Sequence, residues 1–76
     1  VQNVTDRAFL IKLGQRIRQL RKDRNLSQLD VGVGMDNFAE QVSRIERGKI
    51  NVTICSLKKM AETLNITLSE LFDFAE

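Results

Sequence analysis

Apolar residues recur along this chain at three- and four-residue steps, the spacing of one helical face, and almost nowhere alternate as a half-buried strand requires. Leu10, Leu13, Ile17 and Leu20 make the first such stripe. It predicts a helix over about residues 6–23, capped by Thr5 or Asp6. Asn25 then breaks the helix and Leu26 packs back. Ser27 is a good N-cap for a second helix that turns Val31 and Met35 inward. Asp36 and Asn37 interrupt it, since both tolerate the left-handed backbone of a tight turn. Asn37 with Glu40 three residues on reads as a capping box, so a third helix starts near Phe38 and buries Val42 and Ile45. Gly48 stops it as the glycine just past the C-cap. Residues 49–52 form a loop. Thr53 caps a fourth helix through Ile54, Leu57, Met60, Ala61 and Leu64, which Asn65 ends. Thr67 caps a short fifth helix carrying Leu68, Leu71 and Phe72.

Five short helices with short connections predict an all-α fold, a compact orthogonal bundle forming one domain over residues 1–76. Gly32 carries information here. A glycine inside a helix costs about 1 kcal/mol relative to alanine. Two helices crossing steeply over a short turn leave no room for a side chain, which gives Gly32 its reason. Met35 and Met60 fall at core spacing, and Cys55 is expected to be a small buried apolar residue of the fourth helix.

Composition narrows the function. The chain has 76 residues, 42% hydrophobic and 29% charged, which fits one globular domain with a modest core. It has no His and a single Cys, so the commonest general base and any cysteine-based zinc site are missing. No phosphate-binding glycine loop or nucleophile elbow is present. The expectation is a protein that is not an enzyme and needs no cofactor and no metal. No apolar run reaches the roughly 20 residues of a membrane span, and the lone Cys excludes an internal disulfide, so a cytoplasmic protein is expected. The net charge of +2 is unevenly distributed. Arg7, Lys12, Arg16, Arg18, Arg21, Lys22 and Arg24 make the first third basic, while Glu62, Glu70, Asp73 and Glu76 make the last third acidic. A polyanion meeting the basic part is one reading of that asymmetry, and a solvated helix face is the other.

Three segments now stand in order: LGQRIRQLRKDRNLSQ at 13–28, SRIERGK at 43–49 and LKKMAETLNITLSELF at 57–72. Together they resemble the Cro and phage-repressor type of helix-turn-helix, often called the XRE family, with the motif at about 28–47. The resemblance implies a five-helix domain that places its third helix in the major groove of duplex DNA, commonly as a dimer. This chain departs from the family in the turn, where Asp36 replaces the usual Gly and Asn37 an apolar residue. Phe38 stands where a small polar residue is common, and is expected to pack into the gap beside Asn37.

By this resemblance, Ala39, Glu40, Gln41 and Arg44 are the base-reading candidates. Arg44 suits guanine O6 and N7, Gln41 adenine, Glu40 the cytosine amino group and Ala39 a thymine methyl. Gln28 stands at the start of the second helix, where side chain and amide meet a phosphate. Ser43, Arg47, Lys49 and Asn51 are the other phosphate candidates. The family pairs an arginine late in the first helix with the glutamate of the SRIE segment, here Arg21 and Glu46, as a structural tie. Leu29 is expected to be partly buried against the first helix.

The expected function is therefore a sequence-specific regulator of transcription, a repressor or autoregulator, bound as a homodimer to a palindromic operator in double-stranded DNA. Ile66, Phe72 and Phe74 supply apolar area beyond what closing the core requires and are the expected dimer interface. The alternative is an antitoxin or other interaction module, with a toxin or another protein as partner and DNA secondary.

Overall fold

A computed structural model describes residues 6–74. Five helices follow one another: α1 (Arg7–Asp23), α2 (Gln28–Gly34), α3 (Ala39–Glu46), α4 (Ile54–Thr63) and α5 (Leu68–Leu71). No strand occurs among the described residues. The caps explain the boundaries. Asp6 accepts from the Phe9 amide, Ser27 from Asp30, Thr53 from Ser56 and Thr67 from Glu70. Thr5, the other expected cap of α1, lies outside the described residues. At α2 and α5 the bond is reciprocated: the carboxylates of Asp30 and Glu70 accept from the amides of Ser27 and Thr67. Both carboxyl groups are held below their ordinary range, first by those backbone bonds and then by the cap hydroxyls.

Four helices end alike. Asn25, Asp36, Gly48 and Asn65 stand just past the C-caps of α1 to α4 with positive φ of 55°, 64°, 70° and 60°. In each case the next amide reaches back to the carbonyl five residues earlier, as Lys49 does to Arg44 at 3.0 Å and Asn37 to Gly32 at 2.7 Å. Only at Gly48 is the residue free of the Cβ penalty that this backbone imposes.

One core joins all five helices. Leu13, Ile17 and Leu20 of α1 meet Val31 and Met35, Val42 and Ile45 of α3, Leu57, Met60, Ala61 and Leu64 of α4, and Leu71 of α5. The stripes at three- and four-residue steps are the buried ones, as amphipathic helices require. Four apolar residues expected to be covered are exposed instead. Cys55 is exposed, because it stands two positions before Leu57 and so on the opposite side of α4. Ile54 is 63% exposed and borders an open concavity with Phe9 and Phe72 instead of closing the core. Leu29 is 60% exposed and is not covered by α1. Phe38 is 79% exposed and fills no gap beside Asn37.

Much of the basic first helix serves the scaffold. Arg24 donates from Nε to the Leu64 carbonyl at 2.7 Å, satisfying the end of α4. Arg16 donates from Nη2 to the Glu70 carbonyl at 2.7 Å. Arg21 is buried. The exposed bases of this helix are thus fewer than the charge count implies. No described helix is long and apolar enough to cross a membrane.

Candidate nucleic-acid interface

The presentation of α3 depends on how its inner face is held. Val42 and Ile45 are buried, and so is Glu46, a charge that the core accepts only with partners. Arg21 provides them in bidentate form, Nε donating to Oε2 at 2.6 Å and Nη2 to Oε1 at 3.0 Å. Its third nitrogen, Nη1, donates to the Leu26 carbonyl at 2.9 Å. Gln28 completes the set, its Nε2 donating to Glu46 Oε1 at 3.1 Å. The hydrogen bond to Glu46 is the main cause that raises the Arg21 pKa, with burial opposing it. The guanidinium therefore stays charged. The ion pair links α1 to α3, and through Gln28 it reaches α2.

A second device lies on the same side. At Gly14 of α1, a Cβ would stand 2.3 Å from the Glu46 carbonyl oxygen and 2.6 Å from that of Ile45. Backbone meets backbone there, so only glycine fits. Gly32 is the corresponding point between α2 and α3, with a Cβ 3.0 Å from the Phe38 carbonyl carbon. The Gly32 crossing is close, as expected; Gly14 carries the same cue of a glycine inside a helix, but no local pattern names α3 as its partner.

The opposite side of α3 faces water. Glu40, Arg44 and Arg47 are exposed at helical spacing, and Ala39, Gln41 and Ser43 are half-buried beside them. Arg44 Nη2 donates to Glu40 Oε2 at 2.9 Å, an exposed pair one turn apart. That contact engages one of the arginine's nitrogens and orients the guanidinium, leaving the rest of its fork for a partner. Arg47 Nε donates to the Ser43 carbonyl at 3.3 Å, while Lys49 and Asn51 are exposed in the loop that follows. Gln28 stands apart from this row, because its side chain is turned to Glu46. The start of α3 differs from the expected capping box. Its N-cap is Phe38, whose side chain makes no capping bond. Asn37 Oδ1 accepts instead from the Phe38 amide at 2.8 Å. The displacement by one residue follows from the left-handed Asp36, which ends α2 and leaves Asn37 inside the turn.

Phe72 and Phe74 are half-buried and gathered around Phe9. The ring centroids lie 6.4 Å apart for Phe9 and Phe72, and 5.5 Å for Phe9 and Phe74. Phe9, Phe72 and the exposed Ile54 border a concavity of about 320 Å³. Ile66 is half-buried at the end of α4, beside Asn65 and Thr67.

A family model described as helix-turn-helix matches residues 17–71. The control protein C.MunI of Mycoplasma sp. is 40% identical over 67 residues, covering 87% of this chain and 90% of that protein. The control protein C.BamHI of Bacillus amyloliquefaciens is 34% identical over 62 residues, covering 80% of this chain and 76% of that protein. Among solved structures, the restriction-modification controller protein C.AhdI from Aeromonas hydrophila has 38% sequence identity and a TM-score of 0.83. It covers 86% of this chain and 98% of that one.

Proposed function

The chain belongs to the helix-turn-helix family, of the Cro and phage-repressor type, and from that membership we propose that it regulates transcription by sequence-specific binding to duplex DNA, as the controller of a restriction-modification system. The observation that carries this reading is the similarity to control proteins over nearly their full length. The relatives' roles favour DNA over a toxin as the principal partner.

In this reading α3 enters the major groove with its exposed row toward the base edges. Arg44, steadied by Glu40, offers its free nitrogens to guanine O6 and N7. Gln41 suits adenine, and Ala39 a thymine methyl. Glu40 has a choice between Arg44 and a cytosine amino group. Ser43, Arg47, Lys49 and Asn51 contact phosphates along the strand that passes the end of α3, with the Gln28 main-chain amide on the other side of the motif. One helix in one groove reads only a few base pairs, so discrimination calls for two copies on a palindrome with half-sites roughly 34 Å apart. The half-exposed apolar residues Ile66, Phe72 and Phe74 are the proposed contact between the copies.

Selection of bound sites from random duplex DNA, followed by affinity against salt, tests this. The expected product is a two-fold symmetric site. Arg44→Ala costs about 1–3 kcal/mol on that site and relaxes one base pair in each half. Lys49→Ala weakens all duplexes alike and lowers the salt slope by about one unit per copy. A site preference unchanged by Arg44→Ala would remove α3 as the reading element.

A further inference from the structure

The Phe38 side chain takes no part in the core, although its backbone starts α3. At 79% exposure it is the most exposed large apolar side chain among the described residues. It occupies the N-cap of α3 with extended backbone, φ −103° and ψ 154°, and its ring can make none of the capping bonds that Ser, Thr, Asn or Asp would make there. The position therefore forgoes local stability and also leaves a phenyl ring in water. Both losses fall at the end of α3 whose first turn meets base edges in this motif.

The surroundings choose what the ring can meet. Asp36 and Glu40, two residues to either side, are both exposed. Their carboxylates oppose a phosphate at this point. The floor of the major groove offers one apolar group, the C5 methyl of thymine. We propose that Phe38 is a specificity-determining residue that reads a thymine methyl in each half-site, beside the base pair met by Ala39. This rests on the DNA-binding reading above and adds to it a preference at one position.

The test replaces each thymine of the selected site singly by deoxyuridine, which removes the methyl and keeps the Watson–Crick face. Wild-type protein should lose about fourfold in affinity at the thymine that Phe38 meets, the worth of one buried methyl group, in addition to any effect at the thymine assigned to Ala39. Phe38→Ala should bind the parent site more weakly, keep the wild-type melting temperature and lose the deoxyuridine effect at that thymine alone. Arg44→Ala should retain the effect. Wild-type protein indifferent to every such replacement overturns the proposal, as does Phe38→Ala that keeps the full effect. Phe38→Ala that binds every duplex as wild type does also overturns it and assigns the ring to a protein contact. A wild-type protein that prefers no duplex overturns the DNA reading itself, and this inference with it.

Discussion

At its C-terminal end α3 is held three times over, by the Arg21–Glu46 ion pair, by the backbone contact at Gly14 and by a left-handed glycine at Gly48. At its N-terminal end the backbone lies close against Gly32 of α2, but among the described residues no ion pair to another helix and no capping side chain holds it. Its N-cap side chain makes no bond, and the preceding turn places Asp36 in a backbone that suits glycine better. The same eight-residue helix thus has one end tied by side chains and the other held by backbone contact alone, its cap side chain bare to water. An anchored end sets the direction of the helix, and a bare end keeps its first turn free for a partner. Stability is concentrated where it does not compete with binding, a division often met at functional sites.

The largest effects should come from breaking the anchored end. Glu46→Ala leaves the Arg21 guanidinium and the Gln28 amide without their acceptor in the interior. Breaking one side of a buried pair costs about 3–5 kcal/mol, and about 3 is expected here because Leu26 still accepts from Arg21. Arg21→Ala should cost a similar amount, since Gln28 alone cannot neutralise the buried carboxylate. Urea melts of both singles and the double mutant measure the coupling. The double should lose clearly less than the two singles together, and strict additivity would detach the pair from the anchor.

Next in size is Gly14→Ala. Helix propensity alone favours the alanine by about 1 kcal/mol. Against this, the new methyl would have to push apart two backbones, α1 and the end of α3, because carbonyl oxygens stand at 2.3 and 2.6 Å. Overpacking of this kind costs about 1–3 kcal/mol and occasionally more. A net loss of about 2 kcal/mol in a denaturant titration is the expected outcome. A stabilised variant would mean that α1 and α3 are not in backbone contact.

How much of this was readable in the sequence follows the same division. The helices were legible because their apolar stripes are regular and their caps are ordinary ones: Ser27, Thr53, Thr67 and Gly48 do what such residues do in isolation. The pair of Arg21 with Glu46 came from family resemblance, not from spacing, since nothing local connects the two residues. Gly14 carries the mark of a glycine inside a helix, but that mark does not say what it meets, because its partner backbone lies two helices away in the chain. The scaffold roles of Arg16 and Arg24 escaped for the same reason, as carbonyls at distant helix ends carry no mark in the sequence. Cys55 and Ile54 are exposed against expectation because apolarity alone does not say on which side of α4 a residue stands or whether a neighbour covers it. The turn at Asp36–Asn37 was read correctly as a break, but the cap was given to Asn37 because a capping box is a local pattern and the left-handed residue before it shifts the frame.

Smaller changes should sharpen the bare end. Phe38→Ser supplies a hydroxyl on backbone already extended for capping, so the fold should gain about 1 kcal/mol. Asp36→Gly removes the left-handed penalty and a negative charge at the C-terminal end of α2, and should gain about 1 kcal/mol as well. The two gains differ in their consequence. Phe38→Ser should become more stable while binding its DNA site less tightly; Asp36→Gly should become more stable with affinity kept or raised, since a carboxylate facing the phosphates is gone. Thermal melts read beside affinities separate them, and a destabilised Phe38→Ser would mean that the ring contributes to the fold after all.

The smallest expected effect concerns acid. At the starts of α2 and α5, the carboxylates of Asp30 and Glu70 accept the amides of Ser27 and Thr67, and those bonds depress their pKa values from the ordinary 3.8 and 4.5. A group whose folded pKa is depressed contributes stability above its unfolded value, and that contribution is lost as pH falls through the folded one. Glu70 should therefore begin to lose its contribution as pH drops below 4.5, with Asp30 following below 3.8. Both side chains lie at the surface, so the change should be a local loosening of two helix starts, well short of unfolding. The start of α3 has no carboxylate bonded to its cap amide, the acceptor there being the neutral side chain of Asn37. Amide exchange between pH 5 and 3, corrected for intrinsic rates, should then show lost protection at the first turns of α2 and α5 and little change at Ala39 and Glu40. Equal loosening at all three helix starts would mean that α3 is no more bare at its front than its neighbours are.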